Sequence, residues 1–100
     1  MKRLKLFIDR RAKLIIEKLP ASEKARILRV EELFKIYGFT LGLPYLKKID
    51  KNLWELRPGH IRLFLFTKKD MVFIIHALRK KTQKISKKDL KLIRKREKEY

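Results

Sequence analysis

The sequence predicts a single α+β domain. Three observations carry that prediction: apolar residues at helical spacing before Gly38, β-type runs parted by tight turn signals between 53 and 78, and a capped, helix-patterned tail after Ser86. One hundred residues suffice for one core. Hydrophobic residues make up 45% of the chain, an ordinary share for a globular protein and too large for a disordered polycation.

Residues 4–8 form a short, mostly apolar stretch compatible with a brief strand. Asp9 suits an N-cap, and Ala12, Ile15, Ile16 and Leu19 recur at helical spacing until Pro20 stops the helix. Ser22 opens a second helix, with Ile27, Val30, Phe34 and Tyr37 along one stripe and Leu33 widening it; Gly38 ends it. The corner 20–22 joins the two into a helical hairpin, and Gly42 and Pro44 make 39–44 a loop. Next, L-W-E-L-R at 53–57 reads as a strand, Pro58-Gly59 as a turn, and I-R-L-F-L-F-T at 61–67 as the returning strand. After a turn at 68–70, M-V-F-I-I-H-A-L at 71–78 makes a third strand, in which His76 shares a face with Val72, Ile74 and Leu78. The last two strands are apolar on both faces, so the helical hairpin covers one and the C-terminal segment the other. That segment starts at Ser86, paired with Asp89 as in a capping box, and places Leu90, Ile93, Glu97 and Tyr100 in one arc. The expected architecture is an N-terminal helical hairpin on a mainly antiparallel four-stranded sheet (a short first strand plus a three-strand meander), closed by a C-terminal helix.

Charge narrows the function. The chain carries 29 Lys and Arg against 11 Asp and Glu, a net of +18. Such a density repels itself, and a polyanion relieves it, so nucleic acid or a nucleoprotein particle is the first partner expected. The 22 residues from Arg79 onward hold 11 basic and 3 acidic side chains. The absence of cysteine excludes disulfide scaffolds, zinc ribbons and thiol nucleophiles. With two histidines, His60 and His76, a metal centre would need carboxylates that a basic chain supplies poorly, and no metal or cofactor is expected. The longest apolar run, 71–75, is too short to span a bilayer, and charges at Asp9, Arg10 and Arg11 interrupt any N-terminal leader pattern. The expected location is the cytoplasm, with no membrane partner; a basic amphipathic protein lying on an anionic surface is the weaker competitor.

No glycine-rich phosphate loop or zinc-binding helix motif is present, and Ser22 and Ser86 are both placed as helix caps. What remains is guanidinium and ammonium on β elements. Arg57 and Arg62 flank the Pro58-Gly59 turn and so lie close together in a hairpin. Arg62 alternates with Phe64 and Phe66, so its head rises from an apolar floor, and its parallel donors suit a phosphate. The alternative for each arginine is an ion pair with Glu55 or Asp50. His76 reads as a core histidine or a proton-transfer group. The basic residues Arg79, Lys80, Lys81 and Lys84, with Lys48 upstream, read as a solvated face or a nucleic-acid surface. Trp54 could stack on a base, but its alternation with Leu56 favours the core.

Read together, G-L-P-Y-L-K-K-I-D-K-N-L-W-E-L-R-P from Gly42, then I-R-L-F-L-F, then F-I-I-H-A-L-R-K-K-T-Q-K-I-S resembles the phage-derived HigB-like branch of the RelE/ParE toxin superfamily. The resemblance implies a RelE-like fold and a toxin of a type II toxin–antitoxin pair. It implies a ribosome-dependent, metal-independent endoribonuclease that cuts mRNA in the ribosomal A site by attack of a 2′-hydroxyl on the adjacent phosphate. It implies as partner a cognate antitoxin, a HigA-like helix-turn-helix protein. Carried over by motif, Arg62 contacts the scissile phosphate, Arg57 supplies a second contact, and Lys80 and Lys81 bind RNA or stabilise charge. His76 matches the motif histidine, and Tyr100 stands where some relatives carry a C-terminal tyrosine. Some relatives have lysine where Glu55 falls, so the general base is not carried over; Glu55 replaces it or pairs with Arg57. The alternatives are a ParE-type toxin acting on DNA gyrase without cutting RNA, and a non-catalytic basic module that binds RNA or the ribosome.

Overall fold

The computed structural model of the protein describes residues 4–80 and 84–100. Strand β1 (Lys5–Ile8) leads into helices α1 (Arg10–Glu17) and α2 (Ala21–Tyr37). A short 3₁₀ turn (Gly38–Thr40) precedes strands β2 (Leu46–Asp50), β3 (Leu53–Leu56), β4 (Ile61–Lys68) and β5 (Met71–Arg79), and α3 (Lys87–Glu97) closes the fold. The sheet order is β1-β5-β4-β3-β2, antiparallel throughout except for the parallel β1–β5 pair.

Four strands were expected and five form among the described residues, the addition being β2. Its sequence, L-K-K-I-D, hides the strand because it is a sheet edge, where charged side chains discourage further pairing. A bulge between Lys48 and Asp50 also breaks its alternation. At the first corner Pro20, not Ser22, takes the N-cap of α2, and its carbonyl accepts from Glu23 and Lys24 while no side chain caps the helix. Gly38 ends α2 with φ +60°, as expected of a glycine C-cap.

The sheet separates two apolar layers. Ile61, Leu63 and Leu65 of β4, with Leu56, Val72, Ile74 and Ala77, pack against Ala12 of α1 and Ile27, Val30 and Phe34 of α2. Phe64, Leu53 and Ile75 pack against Ile93 of α3 on the other face. One local feature corrects the expected faces. The β4–β5 register shifts between Phe64 and Leu65, leaving Ile75 unpaired as a bulge. Ile75 and His76 therefore both turn toward α3, and His76 parts from Val72 and Ile74 while keeping Leu78.

The start of α1 is tied to the segment after α3. Asp9, 7% exposed, caps α1 by accepting from the Arg11 amide, receives the Arg11 guanidinium at 3.0 and 2.8 Å, and accepts from the Tyr100 hydroxyl. Arg11 also reaches Glu99 at 2.6 Å. The Arg11 guanidinium outweighs burial and, with the Tyr100 hydroxyl, holds the Asp9 carboxyl well below the usual carboxylate range. Burial and then Asp9 push the Tyr100 phenol up to about 12.

Phe34→Ala, at a site with no exposure, is expected to cost about 3–5 kcal/mol in chemical denaturation. The Asp9 contribution has its own pH window. The folded carboxyl stays ionised where the unfolded one takes up a proton, so this stability is fully present above about pH 4 and lost as pH falls toward the depressed folded value. Asp9→Asn should be less stable by about 1–3 kcal/mol at neutral pH and should lose less than the native chain between about pH 5 and pH 2. An unchanged acid slope would remove Asp9 from the account.

Candidate functional site: a basic hollow over the sheet

On the α3 side, the sheet floor formed by β2, β3, β4 and the end of β5 meets the start of α3 around a hollow of about 810 Å³. Among the described residues seven basic side chains line it (Lys47, Arg57, Arg62, Arg79, Lys80, Lys84 and Arg94) against two acidic ones, Glu55 and Asp89. That imbalance selects for an anionic occupant.

Arg62 stands at the centre. It sits on β4 with Phe64 and Phe66 on the same face, and is 8% exposed. Its Nη1 donates to the carbonyls of Gly59 at 2.7 Å and Ile61 at 2.9 Å. Among the described residues no carboxylate is bonded to it. Burial, then the neighbouring Arg57, push its guanidinium below the ordinary value, with Glu55 opposing. Two carbonyls thus fix the plane of a desolvated cation beside a second cation, an arrangement that an anion completes.

Arg57 follows the last residue of β3, and its Nε lies 3.1 Å from Glu55 Oε1. The angle is not that of a hydrogen bond, and this buried Nε has no such partner. Glu55 is 6% exposed and lines the same hollow. Lys47 pairs in register with Glu55 across β2–β3. On the wall, Asp89 accepts from Ser86 Oγ at 2.8 Å and its amide donates back at 3.0 Å, the capping box read from the sequence. Burial works to raise the Asp89 carboxyl, but Ser86 and His76 more than offset it and hold it low.

His76 lies beneath this wall. Arg96 Nη1, which can only donate, approaches Nδ1 at 3.3 Å and also donates to the Ile75 carbonyl at 2.8 Å. Nε2–H therefore faces Asp89 Oδ1 at 3.1 Å, and both ring nitrogens of a neutral imidazole are engaged by the protein. Burial lowers its pKa, Arg96 adds to that, and Asp89 opposes both.

Of the residues singled out in the sequence, Arg57, Arg62, Arg79, Lys80 and Lys84 come together in the hollow. His76 touches it only through Asp89, and Lys81 lies outside the described residues. Lys48 faces away, with Nζ 5.5 Å from the centre of the Trp54 ring, which packs on the helical-hairpin layer. Tyr100 lies beyond the far end of α3, an 11-residue helix about 16 Å long, with its ring on Phe73 and its hydroxyl on Asp9. The sequence reading missed Lys47 and Arg94. The single step from Leu46 to Lys47 is the signal for Lys47, because successive residues of a strand take opposite faces and Leu46 belongs to the core on the helical-hairpin side. Arg94 is occupied by Asp50 and Glu97, each at 2.9 Å, and Arg79 by Glu23. Among the described residues no group of three or more His, Asp or Glu is placed to hold a metal ion, and no helix is long and apolar enough to cross a membrane.

The fold, five strands with a helical hairpin on one face and a helix over a basic hollow on the other, is that of the RelE-like proteins. The chain is similar to a chain of the archaeal RelE–RelB complex of Pyrococcus horikoshii, with TM-score 0.69, 16% identity, and coverage of 79% of this chain and 97% of that one. It is similar to the isolated RelE toxin of Escherichia coli, with TM-score 0.56, 15% identity, and coverage of 93% and 97%. It also resembles a chain of the YoeB–YefM complex of Staphylococcus aureus, with TM-score 0.60, 15% identity, and coverage of 75% and 94%. No curated protein matches the chain by sequence. Residues 15–98 match the model of the phage-derived Gp49-like proteins, and the chain belongs to that family.

His76 supplies a test of how α3 is anchored. An unfolded histidine takes up a proton near pH 6.5 and the folded one only below that, so this stability is full above about pH 6.5 and lost as pH falls. Denaturation at about pH 7.5 and pH 5.5 should show that loss in the native chain and not in His76→Gln. The same slope in both would contradict the buried neutral ring.

Proposed function

We propose that this protein is the toxin of a type II toxin–antitoxin pair and an endoribonuclease that cuts mRNA in the A site of the ribosome. The observation that carries the reading is Arg62: a nearly buried guanidinium bonded to two carbonyls and to no carboxylate among the described residues, beside Arg57 at the floor of a basic hollow. Such a group costs several kcal/mol unless an anion meets it. The phosphodiester is the anion that the charge of +18 favours as partner.

In the proposed reaction the RNA 2′-hydroxyl attacks the adjacent phosphorus in line. A bond forms from O2′ to phosphorus and the bond from phosphorus to O5′ breaks, leaving a 2′,3′-cyclic phosphate and a 5′-hydroxyl. Arg62 and Arg57 bind the non-bridging oxygens, where charge grows in the transition state. Glu55, within the hollow and beside Arg57, takes the 2′-hydroxyl proton, and the Lys80 ammonium gives one to the departing oxygen. Lys47 and Lys84, with Lys81 in the same run of sequence, hold the flanking backbone. His76 acts as a positioning residue, holding Asp89 and thereby the start of α3 against the sheet. None of these roles calls on a metal.

A cognate antitoxin, HigA-like and of the helix-turn-helix class, is the proposed partner. The P. horikoshii and S. aureus structures, which pair RelE with RelB and YoeB with YefM, support a protein antitoxin as partner. An acidic segment would neutralise a surface so basic.

On translating ribosomes, Arg62→Ala should lower the rate of mRNA cleavage about 10²-fold with ribosome binding largely kept, as loss of one preorganised donor does. Glu55→Gln should lose about 10²- to 10⁴-fold. Loss of binding in step with rate would favour a non-catalytic basic module. DNA damage dependent on gyrase, with intact mRNA, would overturn the nuclease reading in favour of a ParE-type toxin.

A further inference from the structure

The hairpin tip at Gly59 and His60 has a side that the reaction above does not use. Gly59 takes φ +63°, and Arg26 of α2 lies against its α-carbon. A β-carbon there would collide with Arg26 Nη1 and Cδ, so the arginine reaches the tip in this position because residue 59 is glycine. Arg26 is exposed, and among the described residues no carboxylate is bonded to it. The nearest acid along its own helix face, Glu23, is taken by Arg79. On the other side of the tip, the Lys80 amide donates to the His60 carbonyl at 2.7 Å, and the His60 side chain is exposed. Lys80 belongs to the lining of the hollow. Lys80 on the side of the hollow and Arg26 on the side of α2 thus flank the tip that carries His60.

We propose that a single RNA strand engaged at Arg62 leaves the hollow over this tip, with a flanking phosphate on Arg26 and a base against the His60 ring. The inference rests on the nuclease reading and adds a binding step outside the reacting centre. Contacts of this kind carry no sequence information and fix the register of the strand. Their binding energy serves to hold the scissile phosphate in line for attack. An exposed imidazole offers a flat face on which an unpaired base stacks.

Binding of two fully 2′-O-methylated RNAs, which lack the attacking hydroxyl, separates the two levels. The probes are a trinucleotide that fills the hollow and a nonanucleotide that extends past it. Arg26→Ala should weaken the nonanucleotide about three- to tenfold at about 0.1 M salt and lower its salt slope by about one, leaving the trinucleotide unchanged. Arg62→Ala should weaken both. Native-like binding of both RNAs by Arg26→Ala, while Arg62→Ala weakens both, overturns the path over the tip and leaves the hollow standing. Equal weakening of both RNAs by Arg26→Ala also overturns it. Undiminished mRNA cleavage on ribosomes by Arg62→Ala brings down the nuclease reading itself.

Discussion

The structure depends on keeping one guanidinium desolvated, charged and correctly aimed. Arg62 lies on β4, in the interior of the sheet, 8% exposed and without a bonded carboxylate among the described residues. An uncompensated cation there opposes folding by several kcal/mol. It is tolerated because two peptide carbonyls receive its Nη1 and because Glu55 lies near enough to favour the charged form. One of those carbonyls belongs to Gly59, so the turn that reverses the chain also orients the arginine. The apolar layer between the sheet and the helical hairpin holds these parts in place, with Leu63 and Leu65 fully buried on one face of β4 while Arg62 and Phe64 take the other.

The second wall of the hollow is held by polar bonds more than by area. Ile93 is the one fully buried apolar residue of α3, and the helix is otherwise pinned by hydrogen bonds and charge. Ser86 and Asp89 cap its start, Asp89 meets His76, Arg96 meets both His76 and the Ile75 carbonyl, and Tyr100 reaches Asp9 beyond its end. Buried polar networks of this kind favour one arrangement over near alternatives because each broken bond leaves a desolvated partner behind. The bulge at Ile75 is what makes the network possible. Without the extra residue, His76 would face the helical hairpin and Asp89 would lose its partner.

The helical hairpin, the three-strand meander and the capped C-terminal helix were legible in the sequence because each rests on a local rule of periodicity, a turn pair or a cap. The closeness of Arg57 and Arg62 followed from the turn between them. Three features escaped for physical reasons. Strand β2 is an edge with lysines at Lys47 and Lys48, and charge on an edge erases the alternation that marks a strand. That in turn left Lys48 chosen where Lys47 faces the hollow. The face of His76 depends on a bulge, which inserts one residue without a composition signal. Tyr100 was placed with the site through the resemblance to relatives with a C-terminal tyrosine; it shares an arc with Leu90, yet it lies beyond the other end of the helix. An arc fixes direction around an axis and not position along it.

Arg62 is a claim about atoms meeting a phosphate, and side-chain NMR of arginine observes those atoms. In the protein labelled with ¹⁵N-arginine, titration with the non-cleavable RNA should shift the Arg62 and Arg57 Nε–H resonances in a saturable way and slow rotation of the Arg62 guanidinium, as a bidentate phosphate contact requires. An Arg62 resonance that stays fixed while the surface basic residues respond would contradict the account.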